Sequence, residues 1–303
     1  MGYGCRSIWL IMVAMLAIGG CGGDSDENPV DPGRVPVVVQ LTDNDDFEAN
    51  PVYSSDGNWI LFESDAAGDL NIYRLPAAGG VAEQLTDDPA MDTAPGWTPD
   101  GNGIVFESER SGSKAIWFLD LTAPGADPVA LTTGSDNDGG PTVSPDGMRV
   151  VFESNRLKSS GADLWSVPIT GGVPTRLTDT ADGVYNRTAA WSPDGLSIVF
   201  ESDRSGYSAL WVIPGTGGTA TQLTSDAGYE GHPAWSPDGT EIAYEATPTG
   251  VSEIYTIPAA GGEPLRVTLH GGNWPAWSPD GQKLVFCVFG ASEPNLWVMD
   301  VDW

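Results

Sequence analysis

Short apolar runs recur along the chain at nearly even spacing. ILFE (60–63), IVFE (104–107), VVFE (150–153), IVFE (198–201), IAYE (242–245) and LVFC (284–287) each put apolar side chains on consecutive positions. Consecutive apolar positions predict a strand covered on both faces, as in sheets stacked against other sheets. Each run leads into a polar loop, for example SERSGSK (108–114), and then into an apolar–aromatic pair that predicts a further strand. Those pairs are Ile72-Tyr73, Ile116-Trp117, Leu164-Trp165, Leu210-Trp211, Ile254-Tyr255 and Leu296-Trp297. A Pro-x-x-Gly-Gly turn follows in four units (76–80, 168–172, 214–218, 258–262), and LTAPGADP (121–128) replaces it in another. A fourth stretch then ends in Leu-Thr or Val-Thr, at Leu85, Leu131, Leu177, Leu223 and Val267.

Ahead of each run stands a tight turn: SSDG (54–57), TPDG (98–101), and SPDG at 144–147, 192–195, 236–239 and 278–281. Their glycines, at 57, 101, 147, 195, 239 and 281, are separated by 44, 46, 48, 44 and 42 residues. A period of this size marks an array of one supersecondary unit and not a set of active sites. Pro presets φ, Asp bonds to nearby backbone, and Gly takes the positive-φ position that closes a hairpin. These Asp-Gly pairs are therefore assigned no chemistry. The last unit lacks a Leu-Thr ending, whereas VPVVVQLT (35–42) carries that ending with no hairpin before it. Donated to the last unit, this segment supplies a fourth strand and closes a ring. Pro128, Pro174 and Pro264 are expected in fourth strands, which suits an outer edge. The predicted fold is all-β: a six-bladed β-propeller of four-stranded antiparallel blades, closed by its N-terminal strand.

Trp-Ser-Pro-Asp-Gly followed by Ile-x-Phe, a Ser-x-Arg loop and Leu-Trp resembles the WD40-like (PD40) repeats of TolB-type propellers. The resemblance covers residues 35–303. TolB carries an additional N-terminal domain, whereas a short segment stands there in this chain, so TolB's particular partners are not carried over. Similar propellers cap prolyl-oligopeptidase enzymes, whose separate α/β-hydrolase domain bears a Gly-x-Ser-x-Gly elbow. That pentapeptide does not occur here, nor does a phosphate-binding glycine loop between a strand and a helix. Other related propellers are lyases whose metal is held by several histidines, and this chain has 2. The expectation is a protein without enzymatic activity; the alternative is a metal-dependent hydrolase or lyase of extracellular glycans or peptides, using His232 and nearby carboxylates.

Charge narrows the partners. With 13 Lys and Arg against 42 Asp and Glu, the formal charge is −29. Such a surface repels phosphate backbones, excluding nucleic acid, and favours cations and basic partners. At the N-terminus a lone arginine precedes IWLIMVAMLAI (8–18), too short to span a bilayer but suited to a signal-peptide core. The following I-G-G-C resembles a bacterial lipobox, which implies cleavage before Cys21 and acylation of it. The expected organisation is a signal at 1–20, an acidic tether at 21–34 and the propeller at 35–303. The expected setting is a lipid-anchored monomer of the bacterial cell envelope. Of 3 cysteines, only Cys287 then remains in the fold, which leaves no internal disulfide.

Strand alternation puts the S-P-D-G and Gly-Gly turns on one face of the ring and the other two loops on the opposite face. The second face varies in length and composition, as binding loops do, and several of its loops are acidic, such as TDNDDFEANP (42–51). Glu63, Glu107, Glu153, Glu201 and Glu245 share one position at the end of the second strand, with Cys287 in the sixth unit. They are either a carboxylate ring for a cation or basic peptide, or acceptors for loop N–H groups and for Arg110, Arg156 and Arg204. Repetition favours the structural role. Asp136 with Asp138, and Asp43 with Asp45, look like fragments of calcium loops, though calcium needs six to eight oxygens and Asp is common in turns. Otherwise no cofactor is expected. His232 and His270 lie in loops of this face and are candidate rim residues.

Overall fold

The computed structural model describes residues 37–301, apart from 124, 135, 226–227 and 290–292. The expected signal and tether, Cys21 included, lie outside the described residues. Strand β1 is Val38–Gln40. Blade 1 comprises β2 (Glu48–Tyr53), β3 (Trp59–Ser64), β4 (Asn71–Pro76) and β5 (Glu83–Gln84). Blade 2 holds β6 (Asp92–Trp97), β7 (Gly103–Ser108), β8 (Ala115–Asp120) and β9 (Val129–Ala130), and blade 3 holds β10 (Asp138–Val143), β11 (Arg149–Ser154), β12 (Asp163–Pro168) and β13 (Thr175–Arg176). In blade 4 follow β14 (Asn186–Trp191), β15 (Ser197–Ser202), β16 (Ala209–Pro214) and β17 (Thr221–Gln222). Blade 5 contains β18 (Glu230–Trp235), β19 (Glu241–Ala246), β20 (Glu253–Pro258) and β21 (Leu265–Arg266), and blade 6 contains β22 (Asn273–Trp277), β23 (Lys283–Val288) and β24 (Asn295–Asp300).

Each blade is a four-stranded antiparallel sheet, and the sixth has the order β1-β24-β23-β22. Val38 lies opposite Met299 and Gln40 opposite Trp297. Leu41 N–H donates to Leu296 O at 2.8 Å, continuing the ladder past β1. The N-terminal strand thus closes the ring as expected. The predicted prolines need adjustment. The fourth strands of blades 1 to 5 are two residues long, and Pro128, Pro174 and Pro264 immediately precede three of them, where no ladder N–H is required.

The apolar runs fill the interfaces between blades. One cluster joins Ile60, Phe62 and Leu75 of blade 1 to Val285, Leu296 and Val298 of blade 6. The equivalent cluster between blades 3 and 4 joins Val151 and Leu164 to Ile198, Phe200 and Ile213. Second strands bury both faces because each is flanked by a neighbouring blade on either side.

The repeated hexapeptide has three jobs. Its Ser or Thr hydroxyl donates to the turn Asp, at 2.6 Å in Ser192–Asp194, and accepts the N–H five residues on, at 2.9 Å from Ser197. The Asp also accepts the N–H after the glycine, at 2.9 Å from Leu196, while Gly195 sits at φ 70°. The tryptophan before the turn staples blades: Trp97, Trp235 and Trp277 donate from Nε1 to Val52, Ala190 and Ala234 carbonyls of the preceding blade, each at 3.2 Å. Finally, the turns touch one another around the ring. A Cβ on Gly57 would lie 3.2 Å from Pro279, and Gly147, Gly195, Gly239 and Gly281 each face the proline of the preceding turn. Gly101 alone of the six turn glycines has nothing within 4 Å, because Ser55 occupies the proline's place in the turn before it.

The Leu-Thr ending is equally purposeful. Thr86, Thr132, Thr178, Thr224 and Thr268 accept the N–H of the second residue of the third strand, at 2.8–3.0 Å. Thr42 does the same for Leu296 at 2.9 Å across the chain ends. A hydroxyl thus caps an N–H that the two-residue outer strand is too short to reach.

Candidate functional site at the loop-face mouth

All six inner strands carry a register shift near their start. The residue at the shift is left-handed in every blade: Asn50, Ala94, Gly140, Thr188, His232 and Trp274, at φ 48–55°. Five of these are not glycine, a conformation that is costly and persists where the surroundings enforce it. Four of their N–H groups donate to the residue at the glutamate position of the preceding blade. Ala94 donates to Glu63 at 2.7 Å and Trp274 to Glu245 at 3.1 Å. Thr188 does so for Glu153, and Asn50 for the Cys287 sulfur.

The five glutamates therefore recur around the ring; Glu63, Glu153, Glu201 and Glu245 accept from the next blade, whereas Glu107 is bonded to Lys114 of its own blade. Their expected arginine partners are corrected. Arg110 and Arg156 bond instead to Asp92 and Asp138, and Arg204 to Asn186 Oδ1, the last at 2.6 Å. Those acceptors open the inner strands, where Glu48, Asp92, Asp138, Asn186 and Glu230 share one buried position and blade 6 has Gly272. Sequence reasoning missed this second, partial polar ring, although five polar residues at one repeat position were readable.

On Glu63 and Glu153 burial acts first, and repulsion from Glu107 adds to it. Loss of solvation, reinforced by Glu107, pushes Glu153 up to about 7. Glu63 is raised for the same reason, opposed by the Ala94 N–H. Lys114 pairs with Glu107, and Arg187 with Glu201 at 2.8 Å.

His232 sits in a hydrogen-bonded relay across blades 4, 5 and 6. Trp274 Nε1–H donates to His232 Nε2 at 3.0 Å, which assigns the imidazole proton to Nδ1. Nδ1 then faces Tyr229 Oη at 3.1 Å and Glu245 Oε2 at 3.3 Å. Tyr229 passes its own proton toward Glu201 at 3.2 Å; burial first, then Glu201 and Glu245, hold the phenol well above its ordinary range. Trp274 also lies against Phe289, with ring centroids 5.6 Å apart. This aromatic sector breaks the ring's symmetry.

The remaining candidates do not join this cluster. His270 is exposed on its loop. Asp138 is buried in its ion pair with Arg156. Asp43 and Asp45 are exposed beside blade 6. Among the described residues, no three His, Cys, Asp or Glu side chains are grouped to hold one metal ion.

The sequence matches the TolB beta propeller domain family, PD40, over residues 34–181 and again over 180–302. The chain belongs to this family. It is similar to a TolB-type protein from Agrobacterium tumefaciens, at 23% identity and TM-score 0.69, covering 88% of this chain and 97% of that one. TolB from Acinetobacter baumannii is similar at 19% identity and TM-score 0.65, covering 84% of this chain and 63% of its own. An oligogalacturonate lyase in complex with manganese is similar at 15% identity and TM-score 0.61, covering 88% of this chain and 93% of that one. These likenesses establish the fold.

The lyase overturns one expectation. The match spans nearly all of that enzyme, so a catalyst can consist of little besides this architecture. The lack of a nucleophile elbow and of a second domain therefore does not make the chain a protein without enzymatic activity, and that expectation is withdrawn.

Proposed function

We propose that the chain is a cell-envelope propeller, lipid-anchored through Cys21, that binds a basic protein partner on its loop face. The observation that carries the reading is the difference between the two faces. The turn face repeats one hairpin, whereas the loop face combines irregular acidic loops with the Tyr229–His232–Trp274 sector. Membership of the TolB propeller family and the −29 charge support it. Photo-cross-linkers placed at Asp45 and Asp88 on the loop face and at Asp146 on the turn face test it in the native envelope. A partner captured only from the loop face is expected; capture only from Asp146 would overturn the reading. A mature chain beginning at residue 21 with no added acyl mass would remove the anchor.

A second reading has one observation in its favour: His232 is 27% exposed at the mouth while bonded to Tyr229 and close to Glu245. In that reading the pair moves a proton during turnover of extracellular glycans or peptides. Turnover of uronate oligomers by the intact protein, lost in His232→Ala, would replace the binding reading.

A further inference from the structure

Three blades share an internal stack that a fourth leaves open. In blades 2, 3 and 4 an arginine follows the glutamate position by three residues: Arg110, Arg156 and Arg204. Each guanidinium covers the aromatic of the third strand, with Cζ 5.1, 5.1 and 4.7 Å from the Trp117, Trp165 and Trp211 rings. Each also bonds through Nε to the serine that ends the second strand, at 3.0, 2.9 and 2.9 Å. Blades 1 and 5 lack the arginine and have also lost the indole. They carry Ala66 with Tyr73, and Pro248 with Tyr255, and the tyrosines lean on Phe62 and Tyr244 at 5.8 and 6.0 Å.

Blade 6 keeps the indole without the cation. Trp297 pairs with Phe286 as Trp117 pairs with Phe106. The position three after Cys287 is Gly290, and Val288 stands where the stacking serine would be. Over this indole lies a recess of about 310 Å³ lined by Gln40, Asp43, Asp45, Val288, Asn295 and Trp297. That volume is at the small end for a ligand site, the scale of one side chain. Asp43 and Asp45 are exposed, and neither is engaged in an ion pair among the described residues. An indole face beside two unneutralised carboxylates selects a cation, and a planar guanidinium stacks where an ammonium cannot.

We propose that this recess receives an arginine side chain from a basic segment of the partner, completing between molecules the stack that blades 2 to 4 complete within the chain. The inference rests on the loop-face reading and names the chemistry of the partner there. The probe is acetyl-Gly-Arg-Gly-amide, titrated into the ¹⁵N-labelled full chain while the Trp297 indole N–H resonance is followed, assigned with Trp297→Phe. The expected result is a saturable shift of that resonance, with the citrulline peptide, which is neutral but of the same shape, binding at least roughly tenfold more weakly. Asn at both Asp43 and Asp45 weakens binding. Gln40→Trp, at the exposed rim of the recess, removes the response by filling it, in a protein whose melting shows it is folded.

Equal binding of the arginine and citrulline peptides would overturn the proposal. So would a shift from chitobiose at lower concentration than the peptide, which would make the recess a sugar platform, or undiminished binding in Gln40→Trp. A response confined to Trp274 would sink the recess and leave the loop-face reading intact. Cross-links solely from Asp146, together with a normal Trp297 titration, would do the reverse.

Discussion

The two faces of the ring handle carboxylates in opposite ways. On the turn face each Asp lies in a hairpin that supplies a hydroxyl and an N–H, and all six are held below their usual range by those bonds, the Ser or Thr hydroxyl first. On the loop side Glu63 and Glu153 are raised, because burial outweighs the single N–H offered by the next blade. The same functional group therefore braces local turns on one face. Between blades on the other, it is a strained acceptor, and acceptors of that kind are where electrostatic function resides.

The largest test of the comparison concerns the seam that fixes which loops share a face. Deleting residues through 42 removes β1, the Leu41 N–H bond and the Thr42 hydroxyl that caps Leu296. The expected loss is roughly 3–5 kcal/mol, about 1 kcal/mol for each hydrogen bond removed, read from urea unfolding. Unchanged unfolding would mean that the ring is held without its closure.

The next concerns Glu153. A carboxyl with a raised folded-state pKa contributes stability below its unfolded value near 4.5, and that contribution is lost as pH rises through about 7. Glu153→Gln should thus stabilise the fold at pH 8 by on the order of 1–3 kcal/mol and match the parent at pH 4. Destabilisation at pH 8 would show that the ring requires this charge.

Smaller effects are expected on the turn face. Ser55→Pro should fill the gap beside Gly101 and stabilise by about 0.4–1 kcal/mol through a stiffer unfolded chain, seen as a higher melting temperature. The smallest belongs to a single turn. The stability due to Asp194 is present above its ordinary pKa and lost as pH falls through the lower folded value. Asp194→Asn should therefore flatten the acid limb of the stability profile slightly and leave the alkaline limb unchanged.

The fold was legible because it is written six times. Consecutive apolar positions gave the buried second strands, and the stray Leu-Thr of residues 35–42 disclosed the closure. The site was less legible, because its partners come from adjacent repeats. Arg110 was expected on Glu107 since the two are close in sequence, yet the guanidinium reaches back to Asp92 and Lys114 takes the glutamate. Likewise Asp138 looked like a free turn carboxylate and is buried under Arg156. The relay through His232 joins Glu201, Tyr229, Glu245 and Trp274, residues spread over three blades, and no local motif announces it.

The direction of β1 has a consequence for posture. Val37 O accepts from Asp300 N–H at 3.1 Å at the start of that strand, and the chain then runs to Thr42 at the opposite rim. The polypeptide thus enters β1 from the hairpin side, and residue 37 lies there. A pull applied at residue 37 would load the β1–β24 ladder in shear, with the acidic rim at the far end of the strand.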